Sequence, residues 1–140
     1  KISLRQVSKN ALLLNPMSTE IICKTDAKHL NSGLVVIDCS WKKGTGIFKK
    51  RLPGINKRLP ILQAGNPTNY SKLFTLSSSE ALAASLFITG RQEESELVLS
   101  KFKWGHTFFE LNSDILDDYC KANTSDEIAI TEKKYYEKFL

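Results

Sequence analysis

Asp38 ends the aliphatic run Leu34-Val35-Val36-Ile37 and is followed at once by Cys39, Ser40, Trp41, Lys42 and Lys43. A carboxylate carried to the end of a buried strand, next to an indole and ammonium groups, has two readings. In the first, Asp38 starts a turn by hydrogen-bonding its own backbone, the commoner role of a strand-end aspartate, and Trp41 is plain core. In the second, the carboxylate accepts a proton, the indole walls a ligand, and Lys42 and Lys43 hold phosphate. The flanking charge favours the second. Between Asp38 and Glu80 the chain has no acidic residue, while Lys42, Lys43, Lys49, Lys50, Arg51, Lys57, Arg58 and Lys72 all fall there. The edge of a core has no need of such a block.

The net charge of +5 conceals a segregation. Residues 1–79 carry 13 Lys/Arg against Glu20, Asp26 and Asp38, whereas residues 80–140 carry 7 Lys/Arg against 12 Asp/Glu. A solvated face usually mixes signs; a one-sign block concentrates polyanions, of which nucleic acid is the commonest. Lys42, Lys43, Arg51, Lys57 and Arg58 are the expected RNA contacts. Cys23, Cys39 and Cys120 are odd in number and widely spaced, and His29 and His106 lack partners at ligand spacing. Neither a disulfide framework nor a metal site is expected, and a reducing, cytoplasmic setting fits. No apolar run reaches membrane-spanning length, and "KISLRQVSKN" lacks the apolar stretch of a signal peptide. The motifs G-x-S-x-G, H-E-x-x-H and the P-loop are missing, and "GTG" at Gly44–Gly46 is too short for a dinucleotide fingerprint.

The elements that must position these residues follow from pattern. "NALLLNP" predicts a buried strand over Ala11–Leu14, stopped by Asn15-Pro16, and Ser18–Thr25 a second short strand. "DAKHLNSG" predicts a helical turn closed at Gly33, and "LVVIDCS" the clearest strand, apolar on both faces. Lys42–Arg58 is aperiodic, a mobile segment and lobe boundary. Pro60–Ala64 predicts another buried strand, stopped by Asn66-Pro67. "SSSEALAASLFITG" is a helix with Ser77 as cap, Glu80 completing the capping box and Gly90 as left-handed terminus. Helices follow in "QEESELVLSKF", in "FFELNSDILDDYCKA" with a restart near Asn112, and in the terminal "SDEIAITEKKYYEKFL", with Tyr135, Tyr136, Phe139 and Leu140 as docking residues. Buried strands alternating with helices predict an α/β fold with a largely parallel sheet, in which ligands sit where strands end at their carboxyl edge.

The motifs "IDCSWKK", "RLPILQAGNPTNY", "LSSSEALAASLFITG", "FKWGHTFFELN" and "LDDYCKA" occur in that order, from about Leu12 to Lys121. Together they resemble the ribosomal RNA aminocarboxypropyltransferase family of archaea and eukaryotes, related to SPOUT RNA methyltransferases. The resemblance implies a small N-terminal α/β lobe, residues 1–58, and a SPOUT-like C-terminal lobe with a deep trefoil knot, residues 59–140. It implies S-adenosylmethionine (SAM) bound between the lobes as donor of a 3-amino-3-carboxypropyl (acp) group. The acceptor would be a modified uridine or pseudouridine of small-subunit rRNA in the pre-ribosomal particle, and the protein a monomer with no membrane or metal partner.

By the same resemblance, adenine is pocketed by positions matching Leu14, Pro16, Ile37 and Trp41 on one side and Leu59, Leu76 and Ala81 on the other. Backbone groups of Leu59 and Pro60 hold adenine and ribose, the backbone of Phe74 reads the adenine amino group, and Ser78 lies close to the cofactor. Asn66–Tyr70 shapes the loop between, and Asp38 matches an acid near the transferred carbon, the catalytic candidate. The chain departs from the family's pattern where "QAG" replaces Ala-Ala before Asn66-Pro67, where Ser71 stands for a common Gly, and in lacking the first strand or strands of the N-terminal lobe. An RNA methyltransferase of the same fold and a non-catalytic RNA-binding module are the alternative functions.

Overall fold

A computed structural model describes residues 6–37 and 52–139 of the chain. Three short strands, β1 (Leu12–Leu14), β2 (Leu34–Val35) and β3 (Ile55–Lys57), form a wholly parallel sheet in the order β2-β1-β3. Leu12 lies opposite both Leu34 and Ile55. Central β1 is buried along its length, so it reads as an unbroken leucine run rather than an alternation. Its stop at Asn15-Pro16 is structural: the Asn15 amide donates to the Lys57 carbonyl (2.8 Å), its Oδ1 accepts from the Met17 amide (2.9 Å), and its Nδ2 donates to Asn56 Oδ1 (2.9 Å).

The remaining elements among the described residues are a 3-10 helix (Lys24–Ser32) and five α-helices: α1 (Ser78–Ile88), α2 (Gln92–Ser100), α3 (Gly105–Leu111), α4 (Ser113–Lys121) and α5 (Ser125–Phe139). Helix α1 is the centre of the fold. It is apolar around most of its circumference, as befits a helix with neighbours on several sides, and Ala83, Ala84, Ser85 and Ile88 are fully buried. Helices α2 and α4 pack against it. Both halves of the expected capping box form: the Glu80 amide donates to Ser77 Oγ (3.2 Å) and the Ser77 amide to Glu80 Oε1 (3.0 Å). Gly90 takes the expected left-handed φ of 95°, and the Arg91 and Gly90 amides return to the carbonyls of Leu86 and Phe87. One hydrophobic cluster includes Leu12 and Ile22 together with Leu62, Ala84, Phe108, Tyr119 and Ile128.

Several expectations need correction. Ser18–Thr25 is not a strand; Ile21 makes only an isolated parallel bridge to Arg58, and Asp26 Oδ2 accepts the Cys23 amide (3.0 Å), so the chain turns into the 3-10 helix instead. The aperiodic Lys42–Arg58 segment contains β3, a strand of three residues, too short to show alternation. Pro60–Ala64 belongs to no sheet. Gln63 makes only an isolated antiparallel bridge to Leu73, Ala64 exchanges backbone bonds with Ser71 and Lys72, and side chains supply partners for Ile61 and Gln63. The Ile61 amide donates to Glu132 Oε2 (2.8 Å) and its carbonyl accepts from the Tyr119 hydroxyl (2.9 Å). Asn112 closes a two-way pair with the Gln63 amide and carbonyl, both at 2.8 Å. Asn112 also marks the break between α3 and α4, where a restart was expected. On α5 the buried docking residue is Ile128, with Tyr135 packed beside the core; Tyr136 and Phe139 are each 38% exposed, and Leu140 lies outside the described residues.

Candidate functional site

All three parallel strands deliver their carboxyl ends to one place. Leu14, Asn15 and Pro16 after β1, Val36 and Ile37 after β2, and Arg58, Leu59 and Pro60 after β3 line a single cavity of about 1030 Å³. The opposite wall is the loop from Asn66 to Ser77 and the first turn of α1, through Phe74, Leu76, Ser78 and Ala81. The lining is mainly aliphatic, punctuated by Asn15, Asn66, Thr68, Asn69, Ser77 and Ser78, as in a site for a flat, partly apolar ligand held by a few directed hydrogen bonds.

Glu80 joins the two components of that far wall. Its side chain is fully buried, and besides capping α1 it accepts from the Gly65 amide at Oε2 (2.6 Å) and from Asn66 Nδ2 at Oε1 (2.7 Å). Asn66 Oδ1 in turn accepts the Asn69 amide (3.1 Å). The loop therefore cannot move independently of the helix start. On its other side Gly65 packs directly on α3: a Cβ there would sit 2.5 Å from the backbone nitrogen of Phe108. Ser71 and Phe74 both have left-handed backbones, with φ of 64° and 62°. Such a conformation favours glycine, so Ser71 and Phe74 each hold it against their own backbone preference.

The charged residues at the end of β3 are paired with carboxylates of other segments. Lys57, with a side chain only 14% exposed, pairs with Glu20 and lies 3.9 Å from Asp26 Oδ1. Burial alone would lower the pKa of the Lys57 ammonium, but its bond to Glu20 and the nearby Asp26 and Glu20 charges outweigh that and raise it. Arg58 forks onto Glu132 of α5 (2.9 and 2.8 Å), and this bond is the main reason its pKa is raised. Glu132 thus ties α5 to Arg58 and to the Ile61 amide at once. Among the described residues it is the one carboxylate lining the cavity, and these bonds occupy it.

The family described as "Ribosome biogenesis protein, C-terminal" matches residues 12–136. The chain belongs to that family. Within the ribosome biogenesis family, the chain is 39% identical over 132 residues to the 16S rRNA aminocarboxypropyltransferase of Methanosarcina acetivorans, an alignment covering 93% of this chain and 75% of that protein. It is 42% identical over 129 residues to the 18S rRNA aminocarboxypropyltransferase of Schizosaccharomyces pombe, covering 91% of this chain and 45% of the longer yeast protein. The structure of the SAM-dependent rRNA:acp-transferase Tsr3 from Vulcanisaeta distributa superposes with a TM-score of 0.84 at 32% identity, over 99% of this chain and 81% of that one.

Against this ribosome biogenesis fold, the expected cofactor residues can be placed one by one. Leu14, Pro16, Ile37, Leu59, Pro60, Phe74, Leu76, Ser78 and Ala81 all line the one cavity, although the sequence spreads them from residue 14 to residue 81. Asp38, Trp41, Lys42, Lys43 and Arg51 lie outside the described residues. Ile37, the residue joined to Asp38, is in the cavity wall. Sequence reasoning missed Asn15, the second role of Glu80, and the contribution of α5 through Glu132, Lys133 and Tyr136. Only Asn15 had a local signal, the Asn-Pro stop; Glu132 is indistinguishable by sequence from the other charges of an amphipathic helix. Among the described residues no cluster of His, Cys, Asp or Glu could hold a metal ion, and no helix is long and apolar enough to cross a membrane.

Proposed function

We propose that this protein transfers the 3-amino-3-carboxypropyl group of S-adenosylmethionine to a uridine or pseudouridine of small-subunit rRNA during ribosome biogenesis. The observation that carries the reading is the convergence of Leu14, Pro16, Ile37, Leu59, Leu76 and Ala81 on one cavity at the carboxyl edge of a parallel sheet. Its volume and its aliphatic lining with scattered amides and hydroxyls suit a nucleoside-bearing ligand. The names of the relatives, at 39% and 42% identity, point to the same reaction.

When bound, S-adenosylmethionine would supply an electrophilic aminocarboxypropyl γ-carbon, with methylthioadenosine as the leaving group displaced as the uracil nitrogen attacks. The chain's task is orientation, because unguided attack on a sulfonium favours the less hindered methyl. Leu14, Pro16 and Ile37 form one apolar jaw and Leu59, Leu76 and Ala81 the other, excluding water from the adenine, and the family resemblance assigns Trp41 the same task. The backbones of Leu59, Pro60 and Phe74 and the Ser78 hydroxyl fix its rotation in the slot. Asp38, next after Ile37, takes the proton that the uracil imino nitrogen sheds as it attacks. Lys42, Lys43 and Arg51 hold phosphates of the RNA. Lys57 and Arg58 act indirectly, by fixing the end of β3 through Glu20 and Glu132. The finer reading includes a small N-terminal lobe to residue 58, a SPOUT-like knotted lobe from residue 59, a monomeric state and a cytoplasmic place of action on pre-ribosomal particles.

Incubation of the protein with S-adenosylmethionine and small-subunit rRNA from cells lacking it tests the reaction. Methylthioadenosine in the supernatant, with a matching mass gain on one uridine, is the expected result. S-adenosylhomocysteine instead would make the protein a methyltransferase, and no cofactor binding at all would make it an RNA-binding module.

A further inference from the structure

Helix α5 reaches the cavity through Glu132, Lys133 and Tyr136. Glu132 is inward and bonded to Arg58 and Ile61, which fixes how the helix is presented. Lys133 and Tyr136 are three apart, share a helix face, and are both exposed. Their neighbour Tyr135 shows what a structural tyrosine looks like on this helix: its hydroxyl donates to Asp118 (2.5 Å) and Lys138 sits 4.9 Å over its ring. Among the described residues, Tyr136 has no side-chain hydrogen bond or ring partner, and Lys133 has no ion-pair partner. Across the cavity, Phe74 is 62% exposed on its left-handed loop. Meanwhile Lys57 and Arg58, the cations nearest the end of β3, are spent on Glu20 and Glu132. The cavity thus has a free aromatic ring and a free cation side by side at its rim.

A uracil nitrogen can be alkylated only if its base is splayed out of the RNA stack, and the unstacking is offset when protein rings take over the lost stacking. We infer, on the reading that this cavity modifies rRNA, that Tyr136 and Lys133 are substrate-positioning residues: the Tyr136 ring stacks on a nucleobase of the RNA and the Lys133 ammonium meets the adjoining phosphate. The occupant of this rim is the RNA and not the cofactor. Aromatic stacking and a single phosphate contact are sequence-tolerant, so the pair holds the target strand in place while the choice of nucleotide is made elsewhere.

The test compares Tyr136→Ala, Tyr136→Leu, Tyr136→Phe and Lys133→Gln in the full chain, using small-subunit rRNA from cells lacking the protein. Expected for Tyr136→Ala and Tyr136→Leu is a rise of about 10-fold in the KM for RNA, with kcat and S-adenosylmethionine affinity within about twofold of the parent. Tyr136→Phe, which keeps the ring, restores the parental KM. Lys133→Gln weakens RNA binding and lowers its salt dependence by about one phosphate contact. Leu keeps the apolar bulk, so a folding defect in the Ala variant alone leaves the test intact. Unchanged RNA KM in the Leu variant overturns the inference, as does a parallel loss of cofactor affinity, which would make Tyr136 a cofactor wall. A parent protein that forms no methylthioadenosine defeats the functional reading itself, a result separate from any difference among the variants.

Discussion

Glu80 Oε1 accepts a hydrogen bond from Asn66 Nδ2 at 2.7 Å in the interior of the protein, joining the first turn of α1 to the loop that faces the sheet. The same carboxylate takes the amides of Gly65 and Ser77. With its three donors, Glu80 is better described as a bracket for the cavity's far wall than as a helix cap.

Replacing it should therefore cost more than a cap. Glu80→Ala strands two buried donors and one part-buried one, each buried donor worth about 1–3 kcal/mol when left unpaired, so a loss of about 3 kcal/mol is expected in urea unfolding. Glu80→Gln keeps one acceptor oxygen and should lie between. S-adenosylmethionine affinity should fall in both variants, because Asn66, Leu76 and Ser78 lose their common anchor. An Ala variant as stable as the parent would show that Glu80 does not brace this wall.

Asp38→Asn separates three roles for the proposed base. As proton acceptor, its loss should slow single-turnover transfer by about 100-fold or more while cofactor still binds. If Asp38 only braces the turn before Trp41, asparagine serves as well and turnover stays near normal. If it chiefly attracts the cationic cofactor, affinity collapses along with rate. Calorimetry and single-turnover kinetics on the same variant read all three outcomes.

A pH dependence follows from Tyr135. Its hydrogen bond to Asp118 is the largest cause of a pKa pushed up from 10.0 to about 12. The folded form keeps a proton that the unfolded chain releases, so this contribution is complete below pH 10 and is lost as pH rises toward 12. Burial raises the Tyr119 hydroxyl in the same direction. The stability of the parent should thus fall over this alkaline range, and Tyr135→Phe should flatten part of that fall. Identical pH profiles for the two proteins, by denaturant unfolding, would show that the Asp118 bond does not form in solution.

What was legible in the chain was local in origin. Ser77 and Glu80 stand three residues apart before an apolar run, and a capping box is made by contacts of that separation. Gly90, the Asn112 break and the Asn15-Pro16 stop were read for the same reason. Pro60–Ala64 was misread because an apolar run says only that a segment is buried, not what bonds its backbone. Its partners Asn112, Tyr119 and Glu132 lie 49, 58 and 71 residues further along, beyond any local pattern. Tyr136 was misread for a related reason: periodicity assigned a face to the helix, but only the Arg58–Glu132 fork sets which part of that face reaches the cavity.

By itself, then, the sequence determined the caps, the breaks and the apolar segments, since each is written in residues close together. The tertiary structure alone decided that Leu14, Pro16, Ile37, Leu59, Leu76 and Ala81 share one cavity, that Lys57 and Arg58 pair with Glu20 and Glu132, and that Lys133 and Tyr136 are left at the rim. The physical reason is that a side chain's availability depends on its partners' positions. Those positions are set by packing between segments far apart in the chain, where burial forces each polar group to find whichever partner the fold brings near.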